Sequence, residues 1–327
     1  MSSLPRLPRL NTFSGFDLVT IGRISVDLYG EEINHGLADS QTFQKAVGGS
    51  PTNVAIGTAR YGHRTAVITG VGDDALGLFL LSELRRFKVS TEFIFKSSTS
   101  QTPVVIAGIK DPDNPELMFY RDKFAPDTQI TLDDDLLNAV REAKIFWFTG
   151  STLSTLPLSD TVLSLLQATP RKVIFDLDYR PSFWESREVA TAKISAAVKY
   201  ASIVIGNLEE CAVATGMPNT SSAHVLAQAL LAMGPELAIV KSGASGVLVA
   251  HGKSQTVIPG LRIKTYCGLG AGDGFGAAIA HGILSNWTPE ESTRFANAAG
   301  ALVASQLLCS DAMPTEAEVR ELLEASK

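Results

Sequence analysis

Short apolar runs bounded by glycine, proline or charged turns alternate along the chain with longer stretches of helical spacing. Residues 16–22 read as the first strand, with Asp27 just beyond its carboxyl end, where open α/β sheets hold their ligands. A helix follows Gly48-Gly49 and stops near Gly62, and strand 66–71 with helix 76–87 completes a βα repeat. Between 92 and 127 the rhythm changes. Segments 93–95, 104–109 and 117–121 read as strands separated by Ser/Thr and Asp/Pro/Asn turns, with no helix between them. Together with 28–44, which lacks a helical period, they predict a small sheet projecting as a lid, with lid segments at about 28–46 and 92–127. From 133 onward, strands 144–149, 172–176, 203–205 and 237–240 alternate with helical segments, the signature of a parallel sheet. A hairpin, 247–250 and 256–258, leads into a glycine-rich turn. Helix 277–284, a helix start at Pro289-Glu290-Glu291 and a small-residue helix over 296–308 follow. No repeat of fixed period is present. The pattern predicts an α/β protein: a three-layer α/β/α domain over 15–327, with a mainly parallel central sheet and a small β-sheet lid, after a disordered leader, 1–14.

Composition narrows the partners more than the fold. An apolar fraction of 45% over 327 residues suffices for one large domain. A net charge of −6 without a basic run argues against nucleic acid and against an anionic membrane, though it permits a local positive pocket for small anions. The three cysteines, Cys211, Cys267 and Cys309, are far apart and lack metal-ligand spacing, which favours a reducing compartment. Neither a signal-peptide core nor a run of membrane-spanning length occurs, so a cytoplasmic location is expected. The five histidines are scattered, and no zinc site is expected.

The candidate chemistry centres on residues 266–275. A glycine-rich turn feeding a helix leaves backbone N–H groups aimed at one spot, which suits an anion. Asp273 is poorly suited to hold a phosphate and well suited to take a proton, so the stretch points to phosphoryl transfer, although a tight turn uses the same glycines. Gly48-Gly49 allows a ligand close to the backbone. Asn53, in the first helical turn after it, either caps the helix or faces that ligand. Two nucleotide motifs fail. Gly252-Lys253-Ser254 has its upstream glycine, Gly246, one place too far for a P-loop, and Gly272-x-Gly274-x-x-Ala277 lies late in the chain with no βαβ unit and ribose-binding acid after it.

Taken together, Gly48-Gly49-Ser50-Pro51-Thr52-Asn53-Val54-Ala55, with Gly62 and Gly72, and Gly270-Ala271-Gly272-Asp273 resemble the two signatures of the ribokinase-like (PfkB) carbohydrate kinases. The resemblance covers nearly the whole chain. It implies a ribokinase-like fold and ATP-dependent phosphorylation of a hydroxyl. Asp273 would orient the attacking oxygen and receive its proton, while N–H groups of Gly270, Ala271 and Gly272 stabilise the transferring phosphoryl group. With an ordinary pKa near ~4, Asp273 would accept the proton late. Asp27, Gly48, Gly49 and Asn53 are the implied sugar-hydroxyl contacts. Asn207-Leu208-Glu209-Glu210 resembles the family's Asn-x-x-Glu motif, with Asn207 on the nucleotide side and Glu210 handling Mg2+ through water; the same residues also make an ordinary helix cap. Lys241, Ser242, Gly243 and Gly246 match the nucleotide-holding segment, and Asn297 the adenine side. Cys267-Gly268 stands where the family commonly has Asp-Thr, which weakens the expectation of a bound monovalent cation.

Within the family, Phe119-Tyr120-Arg121 and Asp176-Leu177-Asp178-Tyr179-Arg180 resemble segments of the keto-deoxy sugar acid kinases, in which Arg121 and Arg180 would meet the substrate carboxylate. A salt bridge explains either arginine as well. The combination of 48–61, Ala125-Pro126-Asp127, 295–301 and 309–314 is most similar to the kinases that phosphorylate the 6-hydroxyl of 5-dehydro-2-deoxygluconate in myo-inositol catabolism. Kinases of 2-dehydro-3-deoxygluconate or fructose are the alternatives, and a non-catalytic sugar-acid sensor on a kinase fold is the alternative of another class. The implied partners are a small sugar acid and ATP. The apolar faces of the lid imply a homodimer formed through it.

Overall fold

The computed structural model describes residues 15–169, 172–261 and 263–326; the expected leader lies outside them. The chain forms β1 (Leu18–Ile21), β2 (Ser25–Gly30), β3 (Phe43–Gly48), α1 (Ser50–Arg60), β4 (Thr65–Gly72), α2 (Ala75–Arg86), β5 (Val89–Ser90), β6 (Ile94–Ser97), β7 (Val104–Gly108) and β8 (Glu116–Tyr120). It continues through α3 (Asp134–Glu142), β9 (Ile145–Thr149), α4 (Leu158–Ala168), β10 (Lys172–Asp176), α5 (Arg187–Val198), β11 (Ile203–Asn207), α6 (Leu208–Thr215), α7 (Ala223–Ala232) and β12 (Leu237–Lys241). The hairpin β13 (Val247–His251) and β14 (Ser254–Ile258) precedes α8 (Ala271–Leu284), α9 (Pro289–Ala304) and α10 (Glu316–Ala325).

The central sheet runs β14-β13-β12-β11-β10-β9-β1-β4-β5, with β6 also paired to β4. Its strands are parallel except at the β13 and β14 edge. In β9 successive residues serve opposite faces: Phe146 and Phe148 pack with Phe175 in one layer, Ile145 and Trp147 with Ile174 and Phe275 in the other. Burial on both faces explains why this strand reads as an unbroken apolar run. Small residues bring the helices on the second face close together. A β-carbon on Gly57 of α1 would lie 2.6 Å from that of Ala277 on α8, and one on Gly274 would lie 2.7 Å from Val303 of α9. This packing sets the starts of α1 and α8 side by side.

A separate four-stranded sheet, β3-β2-β7-β8, covers the carboxyl ends of the central strands. Four expectations change here. The strand expected at 93–95 is β6, and it pairs in parallel with β4 of the central sheet instead of joining the small one. Asp27 lies within β2 of the small sheet, not in a loop at the end of β1. The helix expected to begin at 277 begins at Ala271, so Asp273 sits in its first turn, and the helix expected over 296–308 is the second half of α9. Glycine-rich helix starts have low helical propensity, which is why the sequence pattern delays the boundary.

Candidate active site

Parallel strands deliver their chemistry at their carboxyl ends. Here Arg23 follows β1, Asp176 to Arg180 close β10, Asn207 ends β11 and Lys241 ends β12. The starts of α1 and α8 complete the ring. A cavity of about 570 Å³ lies between these ends and the small sheet, lined by Asp27, Gly49, Asn53, Arg121, Arg180, Asn207, Glu210, Lys241, Gly243 and Gly270 to Asp273. A larger cavity of about 930 Å³, among Arg60, Arg85 and Lys88, contains none of these groups, so chemistry and not size picks the site.

Among the described residues, helices α2, α3, α5, α6, α7, α9 and α10 carry side-chain N-caps; α4, away from the cavity, does not, and neither do α1 and α8, which begin at Gly49 and Gly270 on its wall. Their first N–H groups are thus left for a ligand. The two helix starts are tied by Asn53 Nδ2, which donates to Asp273 Oδ2 at 2.9 Å. Cys309 Sγ approaches the same oxygen at 3.7 Å. Burial, with Asp273 and Asp27 nearby, pushes the Cys309 thiol up, so it stays neutral and donates. Burial also raises Asp273, against the hydrogen bonds from Asn53 and Ser50. The ordinary carboxylate basicity expected from sequence is therefore corrected upward, which makes Asp273 a better proton acceptor.

Before the start of α1, Gly48 makes room for Asp27: a β-carbon there would lie 1.9 Å from Asp27 Oδ1. Asp27 accepts from Ser25 Oγ at 2.6 Å and from Tyr29 Oη at 3.4 Å. Burial pushes it up to about 6, Asp273 adding to the rise while Ser25 and Arg23 oppose it. Between the ordinary 3.8 and about 6 the folded protein holds a proton that the unfolded chain lacks, so stability falls as pH rises through that window. Asp27→Asn removes this loss. It should raise Tm at pH 8, by at most ~3 kcal/mol of stability at about 1.4 kcal/mol per pKa unit, and by roughly half as much at pH 5, part-way through the window. Equal Tm differences at the two pH values would contradict the assignment.

The residues expected on the nucleotide side are more mixed. Asn207 and Glu210 do form a capping box, with Asn207 N–H donating to Glu210 Oε2 at 2.7 Å and Glu210 N–H to Asn207 Oδ1 at 2.9 Å, yet both also face the cavity. The capping box thus forms part of the cavity wall. Burial works against the charge on Lys241, but Asp176, Glu210 and Asp273 together raise its pKa. Its Nζ lies 3.5 Å from where a β-carbon of Gly272 would stand, so ammonium and helix start face the same space. The Ala271 N–H is partly spent on Gly268 O at 3.4 Å. Ser242 and Gly246 shape the turn behind, Ser242 N–H donating to Gly246 O at 2.9 Å, and they do not line the cavity. Asn297 is also off the wall, its Nδ2 donating to Pro259 O at 3.0 Å.

Two expected carboxylate ligands are already engaged. Arg121 Nε and Nη2 both donate to Asp127 Oδ2, at 2.9 and 2.8 Å. Arg180 Nε donates to Asp178 Oδ1 at 2.9 Å, and Asp178 Oδ2 meets Arg23 Nη2 at 3.0 Å. Burial alone would raise Asp178; Arg23 and Arg180 outweigh it and hold the carboxyl low. Arg23, Tyr29, Asp178 and Cys309 were missed in the sequence. The end-of-strand rule that drew attention to Asp27 applies better to Arg23, two residues past β1. Above the cavity the turn between β7 and β8 reaches the glycine-rich loop, Gly268 N–H donating to Pro112 O at 2.7 Å.

A buried carboxylate in the first turn of an uncapped helix, an ammonium facing that helix start and a small sheet carrying Asp27 over both make an arrangement suited to phosphoryl transfer. The chain belongs to the pfkB family of carbohydrate kinases, whose model matches residues 16–316, and it is a sugar kinase. Among curated proteins it is similar to the 5-dehydro-2-deoxygluconokinase of Shouchella clausii (strain KSM-K16), 32% identical over 94% of this chain and 96% of that one. Among solved structures it is similar to an uncharacterized sugar kinase from Pyrococcus horikoshii in complex with ATP, with 26% identity, a TM-score of 0.79, and 93% and 99% of the two chains covered. It is also similar to the fructokinase of Vibrio cholerae O395 in its fructose, ADP and calcium ion bound form, with 25% identity, a TM-score of 0.80, and 94% and 99% covered. No helix among the described residues is long and apolar enough to cross a membrane, and the three cysteines are buried thiols.

Proposed function

We propose that the protein transfers the γ-phosphoryl group of ATP to the 6-hydroxyl of 5-dehydro-2-deoxygluconate, a step of myo-inositol catabolism. The observation that carries this reading is the cavity wall itself, where Arg23, Arg121 and Arg180 are in contact with only two carboxylates, Asp178 and Asp127. Three guanidinium groups share two ion-paired carboxylates, while Asp27, Glu210 and Asp273 act on them without a direct ion pair. A sugar acid can supply a further direct partner for these arginines, whereas fructose carries no carboxylate to do so. The relative from Shouchella clausii carries the name of this activity, which favours it over a 2-dehydro-3-deoxygluconate kinase.

In this reading Asp27 and Asn53 take sugar hydroxyls, while Asp273 orients the reacting hydroxyl and accepts its proton. The start of α8 and Lys241 meet the phosphates, and the glycines leave the space between them open. Glu210 fits a role toward magnesium: one carboxylate oxygen is held by the Asn207 N–H and the residue borders the cavity beside Lys241. Magnesium, when bound, would supply charge neutralisation on the phosphates. Glu210→Gln keeps an oxygen for the cap and should raise the magnesium concentration for half-maximal rate about tenfold, with Tm unchanged. A drop in Tm without a magnesium effect would assign Glu210 to capping alone.

Exposed Phe43 on one edge strand of the small sheet, and Met118 and Tyr120 on the other, support self-association through that sheet as a homodimer. Buried thiols and use of ATP fit the cytoplasm. The functional test is ADP formation with magnesium against 5-dehydro-2-deoxygluconate, 2-dehydro-3-deoxygluconate, gluconate, fructose and ribose. Preference for the first is expected; preference for fructose or ribose would sink the acid reading, and silence on every compound would favour the sensor alternative.

A further inference from the structure

Among the three arginines on the cavity wall, the one with an unmet donor can be located. Arg121 spends its Nε and Nη2 on the fully buried Asp127. Arg180 is held by Asp178 and its side chain is 43% exposed, so its remaining donors are open to solvent. Arg23 is different. Its side chain is 10% exposed, its Nη2 meets Asp178 Oδ2 at 3.0 Å, and its Nη1 is buried with no acceptor among the described residues. A guanidinium cannot shed its proton to escape this, and a buried charged donor left unpaired is costly.

The backbone fixes the group where it is. Arg23 O accepts from Thr52 Oγ1 at 2.8 Å, and a β-carbon on Gly49 would lie 2.3 Å from the same carbonyl oxygen. The guanidinium carbons of Arg23 and Arg121 each lie 5.1 Å from the centre of the Phe183 ring, which limits where either can swing. A rigid, buried cation with one orphaned donor beside a cavity is preorganised for an anion that arrives with the substrate.

We infer that Arg23, through Nη1, binds the carboxylate of the sugar acid and sets the preference for an acid over a neutral sugar, while Arg121 serves as the structural partner of Asp127. This rests on the sugar-acid reading above. The test compares 5-dehydro-2-deoxygluconate with its C1 primary amide, which keeps the shape and loses the charge, in the wild type, Arg23→Lys and Arg121→Lys. The wild type should favour the acid in kcat/KM by about 100-fold or more. Arg23→Lys keeps a charge for Asp178 but loses the fork, and should cut that ratio at least about tenfold, mainly through KM. Arg121→Lys should leave the ratio within about twofold, because its charge already belongs to Asp127. An unchanged ratio in Arg23→Lys, or a collapse confined to Arg121→Lys, overturns the inference. Absence of any preference in the wild type overturns the sugar-acid reading first. A crystal structure of the wild type with the acid reads the same point without a variant: a carboxylate oxygen within hydrogen-bond distance of Arg23 Nη1 supports the inference, and one held by Arg121 alone overturns it.

Discussion

Asp273→Asn is expected to lower kcat by about 10³-fold while leaving the dissociation constants for sugar and nucleotide within about threefold of the wild type. The amide keeps the size of the carboxylate and an oxygen for Asn53 Nδ2, which reaches Asp273 Oδ2 at 2.9 Å. The local fold therefore stays intact. What is lost is the capacity to take a proton, a group needed only as the hydroxyl attacks. The pH profile checks the same assignment. Burial raises Asp273, and only its ionised form is the base, so kcat should fall as pH drops and should begin to fall above the ordinary carboxylate range. Asn53→Ala removes the hydrogen bond that favours the ionised form and should move that acidic limb further up. An acidic limb at or below the ordinary range, or kcat retained in Asp273→Asn, would rule out this role.

The second large effect comes from a single methyl group. Gly270 has φ 78°, and a β-carbon on it would stand 1.9 Å from Cys309 Sγ. Gly270→Ala therefore combines the left-handed backbone penalty of about 1–2 kcal/mol with an overpacking cost of about 1–3 kcal/mol. The clash lies three residues from Asp273, in the same first turn. A shift of about 1 Å in a reacting group costs on the order of 100-fold in rate. Both Tm and kcat should fall. Gly272→Ala is the matched control: its methyl would meet only Lys241 Nζ, at 3.5 Å, and its φ is not in the left-handed region. Tm should be nearly unchanged there, and any loss should fall on nucleotide binding. Equal destabilisation of the two variants would mean that the Cys309 contact is unimportant.

The fold was legible where a single strand or helix carries its own signal. Residues 145–148 are apolar because both faces of β9 are covered, and with the other short apolar runs between helices they mark a parallel sheet. Small-sheet membership was less legible, because β6 and β7 look alike as short apolar runs, and only the pairing partner, β4 for one and β2 for the other, separates them. The site divides in the same way. Glycines at 48, 49, 270 and 272 announce close backbone approach in the sequence itself. The join between Asn53 and Asp273 spans 220 residues, and no local pattern reports it. The arginines show the limit most clearly: Arg121 and Arg180 resemble carboxylate ligands in sequence, but how much of each fork Asp127 and Asp178 consume is a property of distances. Arg23 gave no signal beyond its place after β1, since an orphaned donor is defined by what fails to surround it.

The central claim, that this sugar kinase prefers one keto-deoxy sugar acid, is tested most directly by competition. Equimolar 5-dehydro-2-deoxygluconate, 2-dehydro-3-deoxygluconate and fructose are mixed with the protein, magnesium and limiting ATP, and the phosphorylated product is read by phosphorus NMR. A single phosphomonoester on the 6-hydroxyl of 5-dehydro-2-deoxygluconate is the predicted result. Phosphate appearing chiefly on fructose, or on 2-dehydro-3-deoxygluconate, would contradict it.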